Sequence, residues 1–305
     1  MKMTFRLPAE TWAAWRTDDE ARAQSSSGGM ATAISEAWID KGGVVYGAAF
    51  VRPFDFRHIR CTTHEELKRL RGSKYVQSSM SGVLSSIDKD VKSGLDVLFI
   101  GTPCQVGAVI ARFGDVVYTI DVICHGVPNI EMLKASLPAN VFVLDFDNIE
   151  FRDSTNYRLA FRRNGDVVWS LPLNKNLYMK GFFKAVFNRS CCYTCRYAQQ
   201  KRVSDMSLGD FWGLNIASVD TTMDKGISLV LVNTGKGHEL LALARNEMNM
   251  VKRSLPEAVA GNQPLQHPCL KTWRNTIFQY LYPKVGFRLA AIAAMPDIVI
   301  KNLFK

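Results

Sequence analysis

The chain has 305 residues, 47% of them hydrophobic, which is enough for one large domain or two ordinary ones with a buried core. A formal net charge of +10 arises from 38 lysines and arginines against 28 acids, but the basic residues form only short groups, so no specific nucleic-acid partner is expected. No stretch approaches the ~20 consecutive apolar residues of a membrane span. The first residues lack the basic segment followed by an apolar segment that is typical of a signal peptide. We therefore expect a cytoplasmic protein without a transmembrane segment.

The first half of the chain alternates between helix and strand patterns. Helical spacing of apolar residues recurs over residues 30–40, 63–71, 81–92 and 105–113. Apolar runs typical of buried strands fall between these helices, at residues 43–51, 97–100 and 116–123. Thr63 and Glu66 have the spacing of a capping box at the start of one helix. This order predicts an α/β fold with a mostly parallel central sheet and flanking helices.

The pattern changes near Asn148. Residues 149–173 show short strand patterns that are interrupted by polar residues, with Asn164-Gly165 as a hairpin turn. They predict a smaller antiparallel meander. A helix over 178–187 and strands over 205–212 and 227–232 follow, and the remaining C-terminal region is predicted to be mostly helical. We therefore expect an N-terminal part over 1–148 and a C-terminal part over 149–305, which could also form one integrated domain.

Seven cysteines in an intracellular chain favour metal ligands, reactive thiols or buried small residues over disulfides. Cys192 and Cys195 form a C-x-x-C pair, whose spacing offers two thiolates to one metal centre, and Cys191 could replace Cys192. Cys104 and Cys124 follow two predicted parallel strands, whose ends meet at one edge of a sheet. Singly, each could be a buried small residue, but together the four predict a metal site.

Two loops and one histidine are candidates for binding and catalysis. The loop before the helix at 30–40 offers backbone N–H groups that could receive an anion, although an ordinary helix cap has the same pattern. The segment Gly72–Tyr75 pairs a cation with an aromatic ring, which suits a flavin but is also common in surface loops. His125 fits a proton donor or a structural hydrogen-bonding residue equally well.

Taken together, the motifs resemble those of the deazaflavin-coenzyme hydrogenase/dehydrogenase beta-subunit family in order and spacing over most of the chain. The resemblance is carried by Ser26–Gly29, Arg71–Tyr75, Gly101–Gln105, Cys124–Gly126, Cys192–Cys195, Ser204–Asp205 and Gly209–Gly213. In its motif residues and its length the chain is most similar to bacterial members associated with polysaccharide gene clusters.

This resemblance implies a 4Fe-4S cluster and a flavin, FAD rather than FMN, at one site. The implied cluster ligands are Cys104, Cys124, Cys192 and Cys195. The implied flavin contacts are Ser26, Ser27, Gly28, Gly29, Ser73, Lys74 and Tyr75. His125 is the residue that we expect to have a catalytic role in proton transfer.

The chain departs from many relatives, which begin with a ferredoxin-like region rich in cysteines, because no cysteine precedes Cys61 here. We therefore expect an external electron carrier, such as a small acidic ferredoxin, to meet the cluster directly. The expected function is an iron–sulfur flavoprotein oxidoreductase with an unidentified small-molecule substrate, in polysaccharide biosynthesis, and oligomers are compatible with it. The alternative is a non-catalytic four-cysteine zinc protein that acts as a scaffold.

Overall fold

The computed structural model describes residues 3–153 and 156–297. The described strands, in chain order, are β1 (Glu10–Arg16), β2 (Val44–Val51), β3 (Asp55–Cys61), β4 (Val97–Gly101), β5 (Tyr118–Val122), β6 (Asn148–Asp153), β7 (Asn156–Arg163), β8 (Asp166–Pro172), β9 (Met206–Asp210), β10 (Ser228–Val232) and β11 (Met248–Arg253). The described α-helices are α1 (Asp19–Ala23), α2 (Met30–Asp40), α3 (His64–Leu67), α4 (Val83–Lys92), α5 (Pro103–Phe113), α6 (Ile130–Ser136), α7 (Leu177–Phe183), α8 (Gly235–Ala244), α9 (Leu255–Gly261) and α10 (Trp273–Ala294).

A large sheet with the strand order β11-β1-β10-β9-β5-β4-β2-β3 forms the centre of the protein. Its middle strands β9, β5, β4 and β2 pair in parallel, while the strands on either side of them pair antiparallel. The strands β6, β7 and β8 form a separate antiparallel sheet. The predicted α/β class, with a parallel sheet core and a smaller antiparallel meander, is confirmed.

Helices cover both faces of the large sheet because successive strand residues point to opposite sides. On one face, Leu98 of β4 packs in a cluster with residues of α2 and α8. On the other face, the neighbouring Val97 and Phe99 pack against residues of α4 and α5. This burial on both faces explains why the central strands are continuous apolar runs rather than alternating ones.

The small sheet packs against α6, α7 and α10 through a cluster rich in aromatic side chains. Asn164 and Gly165 join β7 to β8 with φ angles of 49° and 91°, which confirms the predicted hairpin turn. Helix α10 is kinked at Gly286, where φ is 75°, three residues after Pro283. Over residues 3–153 and 156–297, no helix is both long and apolar enough to cross a bilayer.

Three strands, β1, β3 and β11, were not expected from the sequence patterns. The strand β11 lies in the region predicted to be mostly helical. It lacks the apolar run of a buried strand because it is a partly exposed strand at the edge of the sheet. Helix α7 ends at Phe183, before the predicted end, because Ala185 adopts a positive φ of 50° that a helix excludes. The Thr63 hydroxyl caps Glu66 as predicted, but the Glu66 carboxylate returns to Thr62 instead of Thr63.

Strands from both sides of residue 148 share the large sheet. The strands β9, β10 and β11 follow that residue, and β1 lies between β10 and β11. This interleaving favours the integrated-domain alternative, and the boundary near residue 148 stays a prediction.

A buried ion pair joins Arg202 to Asp121 of β5, with side chains that are 2% and 0% exposed. Arg202 Nη2 lies 2.5 Å from Asp121 Oδ1. Arg202 Nη1 also donates to the backbone carbonyls of Tyr197 and Gln199, both at 3.2 Å. The pair therefore ties the segment that follows the C-x-x-C pair to the strand that precedes Cys124.

Replacement of Arg202 by Met should lower the free energy of unfolding by about 3–5 kcal/mol, because it leaves the Asp121 carboxylate buried without its counter-charge. The double variant Arg202→Met/Asp121→Leu should recover much of this loss. The control is Lys92→Met, since Lys92 pairs with Asp88 on the surface and should contribute at most about 1 kcal/mol. Urea unfolding measures all three, and an equal loss in Arg202→Met and Lys92→Met would contradict the structural role of the pair.

Candidate functional site

A cavity of about 810 Å³ lies at the carboxyl ends of the parallel strands. Its volume falls within the ~300–1,000 Å³ typical of ligand pockets. Cys104 and Gln105 from the start of α5, together with Cys124 and His125 from the segment after β5, line one part of the wall. The loop before α2 and the segment 70–78 line another part. The structure thus brings the predicted flavin loops and two predicted cluster cysteines to one cavity.

The two predicted flavin loops are joined by a hydrogen bond in which the Ser73 backbone N–H donates to Ser26 Oγ at 2.7 Å. Ser26, Ser27, Gly29, Ser73, Lys74 and Tyr75 line the cavity. Gly28 does not belong to this lining, and a Cβ at its position would lie 2.1 Å from the Ala14 carbonyl oxygen of β1. The absence of a side chain at Gly28 is therefore required by close backbone packing.

Two buried polar atoms of the cavity wall have no hydrogen-bond partner among the described residues. They are Ser27 Oγ, at the entrance to α2, and Arg71 Nε. Buried donors and acceptors are nearly always paired, so an unpaired one calls for a water or a ligand. These atoms, with the backbone N–H groups of the first turn of α2, fit an anionic or polar group of a ligand.

Lys74 holds the loop in which it lies. Its Nζ donates to the carbonyl oxygens of three consecutive residues, 69–71, at distances of 2.7–3.2 Å. Burial lowers the pKa of Lys74 to about 7. The adjacent Tyr75 packs its ring against Phe182, with 4.8 Å between centroids. Lys74 thus shapes the cavity wall through its backbone contacts.

Three of the four predicted ligand cysteines lie near the fourth, Cys124. Burial raises the pKa of the Cys124 thiol, the Gly126 N–H opposes this effect, and the sulfurs of Cys104, Cys192 and Cys195 raise the pKa further. Cys104 is exposed in the first turn of α5, whereas Cys192 and Cys195 are half-buried in the loop after α7 and lie outside the cavity lining. The other three sulfurs are therefore near enough to Cys124 to act on its thiol, and the role of the four as ligands stays a prediction.

Gly126 allows the segment after β5 to approach the C-x-x-C loop. Its φ is 90°, and a Cβ there would lie 2.7 Å from Asn188 Nδ2 and 3.0 Å from Cys192 Cβ. The Arg189 N–H donates to the Val127 carbonyl at 3.0 Å, which holds the two loops side by side. The glycine of the C-H-G motif is therefore a contact surface for the second pair of cysteines.

The other three cysteines differ in their surroundings. Cys61 is fully buried in the core beneath α2. Cys269 is buried beside the C-x-x-C loop, where its thiol donates to the Cys192 carbonyl at 3.5 Å, and Cys191 is exposed next to Cys192. Over the part of the chain that the structure describes, no group of three His, Cys, Asp or Glu residues has the spacing that would hold a single metal ion.

His125 lines the cavity, and burial lowers the pKa of its imidazole, partly opposed by the nearby Asp210 carboxylate. Asp210 accepts two hydrogen bonds from Arg152, at 2.7 and 3.2 Å. His125 is therefore neutral at neutral pH and can either donate or accept one proton. Sequence reasoning missed Arg152, because it lies in the small sheet, 58 residues away from its partner in the chain.

Models of the coenzyme F420 hydrogenase/dehydrogenase beta subunit match two segments of the chain: the N-terminal model matches residues 11–85 and the C-terminal model residues 95–257. The chain belongs to this family. The predicted family is therefore confirmed, and the family is one of redox-enzyme subunits, as its description states. A search of curated proteins found no match.

Among solved structures, the chain is similar to a chain of the F420-reducing NiFe hydrogenase complex from Methanosarcina barkeri, determined with xenon derivatization. The TM-score is 0.56 at 20% sequence identity, and the similarity covers 86% of this chain and 93% of the other. At this identity the likeness shows the shared fold, and it extends over most of this chain and nearly the whole of the other.

Gly126→Ala should lower the free energy of unfolding more than Gly165→Ala does. Both glycines have φ near 90°, so each alanine incurs the same left-handed backbone cost of about 1–2 kcal/mol. At Gly165 nothing lies within 4 Å of the added Cβ, whereas at Gly126 the methyl group meets the C-x-x-C loop and adds a further ~1–3 kcal/mol. Chemical denaturation of the two variants measures the difference, and equal losses would show that the loops do not pack tightly.

Proposed function

We propose that the protein is an iron–sulfur flavoprotein oxidoreductase that binds one 4Fe-4S cluster and FAD. The observation that carries this proposal is the single cavity whose wall contains Ser27 and Arg71, with their unpaired polar atoms, and also Cys104 and Cys124. The family description, which names hydrogenases and dehydrogenases, supports redox chemistry. We further propose a cytoplasmic location and a small-molecule substrate, with a role in polysaccharide biosynthesis that rests on the motif resemblance alone.

Cys104, Cys124, Cys192 and Cys195 would hold the cluster. Soft thiolates are the ligands of iron–sulfur clusters, and three separate segments of the chain contribute these four: the start of α5, the segment after β5 and the C-x-x-C loop. Each thiolate of a 4Fe-4S site binds a different iron, so the ligands stand farther apart than those around one zinc ion. The sulfurs of Cys104, Cys192 and Cys195 all lie near enough to Cys124 to act on its thiol, which supports a shared site.

The first turn of α2, Ser27 Oγ and Arg71 Nε would receive the phosphate groups of the flavin. The size of the cavity, about 810 Å³, supports a dinucleotide such as FAD over the smaller FMN. When bound, the flavin would supply two-electron chemistry and the cluster single-electron transfer. The neutral imidazole of His125 would exchange one proton with a substrate or cofactor atom at the cavity wall.

The decisive measurement is an anaerobic visible spectrum combined with chemical assays of iron, acid-labile sulfide and flavin. We expect a brown protein with four irons and four sulfides per chain, a count set by the cluster type, and one flavin. A colourless protein with one zinc per chain would overturn the proposal and support the zinc-scaffold alternative.

Serine substitution of Cys104, Cys124, Cys192 or Cys195 should remove most of the cluster iron, because each replacement leaves one iron without its thiolate. Cys61→Ala is the control, since that thiol is buried in the core away from the cavity. Iron per folded chain and the visible band intensity report the outcome. Full iron content in two of the four serine variants would show that the ligand set is wrong.

Ser27→Ala should raise the Kd for FAD about tenfold, equivalent to ~1.4 kcal/mol, because it removes a hydroxyl that would bond to a charged phosphate. The stability of the flavin-free protein should not fall, since this hydroxyl has no partner among the described residues. The control is Ser136→Ala on α6, whose hydroxyl donates to the Leu133 carbonyl outside the cavity lining. Flavin fluorescence titration measures both, and an unchanged Kd for Ser27→Ala would refute this placement of the phosphate.

The C-x-x-C loop and its flanking residues carry exposed basic side chains, which support an acidic electron carrier, such as a ferredoxin, as the partner. Residues 186–204 contain no aspartate or glutamate. Arg189, Arg196 and Lys201 are exposed, and no ion pair involves them in the described parts of the chain. Unpaired positive charge beside the proposed cluster would attract an acidic carrier to the point of electron transfer.

Electron transfer from a small acidic ferredoxin should slow as salt rises from 0.1 to 1 M, since the Debye length falls from ~10 Å to ~3 Å. The double variant Arg196→Gln/Lys201→Gln should weaken this salt dependence. Lys41→Gln should not, because Lys41 is an exposed cation just after the end of α2 farthest from the cavity. Stopped-flow kinetics across a salt series measures the slopes, and a flat wild-type series with an intact cluster would exclude the acidic carrier.

A further inference from the structure

A chain of hydrogen bonds runs from Cys104 into the protein interior. Thr102, the N-cap residue of α5, places its Oγ1 3.2 Å from Cys104 Sγ. The same oxygen lies 3.0 Å from Gln105 Oε1, which also accepts a hydrogen bond from the Thr102 backbone N–H at 3.0 Å. The Thr102 hydroxyl therefore stands between a cysteine sulfur and an amide oxygen.

The amide of Gln105 is held from its other side. Its Nε2 donates to Ser78 Oγ and to the Ser78 carbonyl, both at 3.1 Å. Ser78 Oγ in turn lies 3.2 Å from His58 Nδ1, and His58 Nε2 lies 3.0 Å from the Ile100 carbonyl oxygen. His58 stacks on Phe99 with a centroid distance of 4.9 Å and is buried. The inner end of this series of hydrogen bonds is therefore held in place.

The donor and acceptor properties of these groups determine which atom donates in each hydrogen bond of the series. The Ile100 carbonyl can only accept, so His58 Nε2 carries the hydrogen. Burial lowers the pKa of His58 to about 4, so the ring is neutral at neutral pH and its Nδ1 accepts from the Ser78 hydroxyl. Ser78 Oγ is then free to accept from the Gln105 NH₂ group, which turns the Gln105 carbonyl oxygen towards Thr102.

The Thr102 hydroxyl has one proton and two acceptors to choose from. One acceptor is Gln105 Oε1, and the other is Cys104 Sγ when that sulfur is a thiolate. Hydrogen bonds to the sulfurs of an iron–sulfur cluster favour its reduced, more negative state, and they are one of the factors that set its reduction potential.

We propose that Thr102 is a positioning residue whose hydroxyl bonds to Cys104 Sγ in competition with Gln105, and that this competition shifts the reduction potential of the cluster. The inference rests on the proposed function, because it assigns Cys104 as a cluster ligand. His58 and Ser78 keep Gln105 in the competing orientation. Thr102 and Gln105 therefore act in opposite directions on the same sulfur.

The test compares midpoint potentials from redox titrations that are followed by electron paramagnetic resonance. Thr102→Val should shift the midpoint to a more negative potential, and Thr102→Ser, which keeps the hydroxyl, should retain the wild-type midpoint. Gln105→Leu should shift the midpoint to a more positive potential, because the hydroxyl then has only the sulfur to donate to. The control is Thr63→Val, which removes the N-cap hydroxyl of α3 and should leave the midpoint unchanged.

Iron content and the midpoint separate failure of this inference from failure of the proposed function. Equal midpoints in wild type, Thr102→Val and Gln105→Leu at full iron content overturn the inference alone. If Thr102→Val loses its cluster, Gln105→Leu decides: a positive shift supports the inference and an unchanged midpoint overturns it. A wild-type protein that cannot be loaded with a cluster overturns the proposed function and the inference with it.

Discussion

The position of the C-x-x-C loop depends on the ion pair between Arg202 and Asp121. Two charges that are almost completely removed from water are favourable only when each has its counter-charge and its remaining hydrogen bonds are satisfied. The Asp121 carboxylate accepts hydrogen bonds from Arg202 and from the Ser204 hydroxyl. Arg202 also donates to two backbone carbonyls of the segment between Cys195 and itself. Since Asp121 lies in β5, the strand that leads to Cys124, the ion pair and the Arg189–Val127 hydrogen bond together hold the loops of cysteines that are about seventy residues apart in sequence.

The parallel centre of the sheet supplies the rest of the site. Strands that run in the same direction end at the same edge, so the segments after β4 and β5 meet beside the N-terminus of α2. Small residues then allow the close approaches that larger ones would prevent. Gly28 lets the loop before α2 contact β1, and Gly126 lets the segment after β5 contact the C-x-x-C loop. The site is thus assembled from rigid strand ends and glycine contacts.

The sequence predicted what depends on local pattern, and the structure added what depends on distant pairing. The central strands, α2, the hairpin at Asn164 and the meeting of the segments after β4 and β5 at one cavity follow from apolar runs, turn residues and the rule for parallel strand ends. The strand β3 was missed because its polar residues, four of which are charged or histidine, hide the alternation. His58 lies on that strand, so its link to Ser78 and Gln105 was missed as well. Nor could periodicity show that Gly28 serves backbone packing, because its neighbour β1 was not expected.

The insertion of β1 between β10 and β11 has a consequence during synthesis on the ribosome. Trp12 pairs with Val230 on one side and with Lys252 on the other, so β1 emerges about 240 residues before its second neighbour. At a translation rate of ~5–20 residues per second, β1 waits roughly 10–50 s before both of its neighbours have been synthesised. The loop before α2 rests on β1 through Gly28, so the cavity is completed only near the end of translation. Any prosthetic group that needs this cavity must therefore enter after the chain is essentially finished.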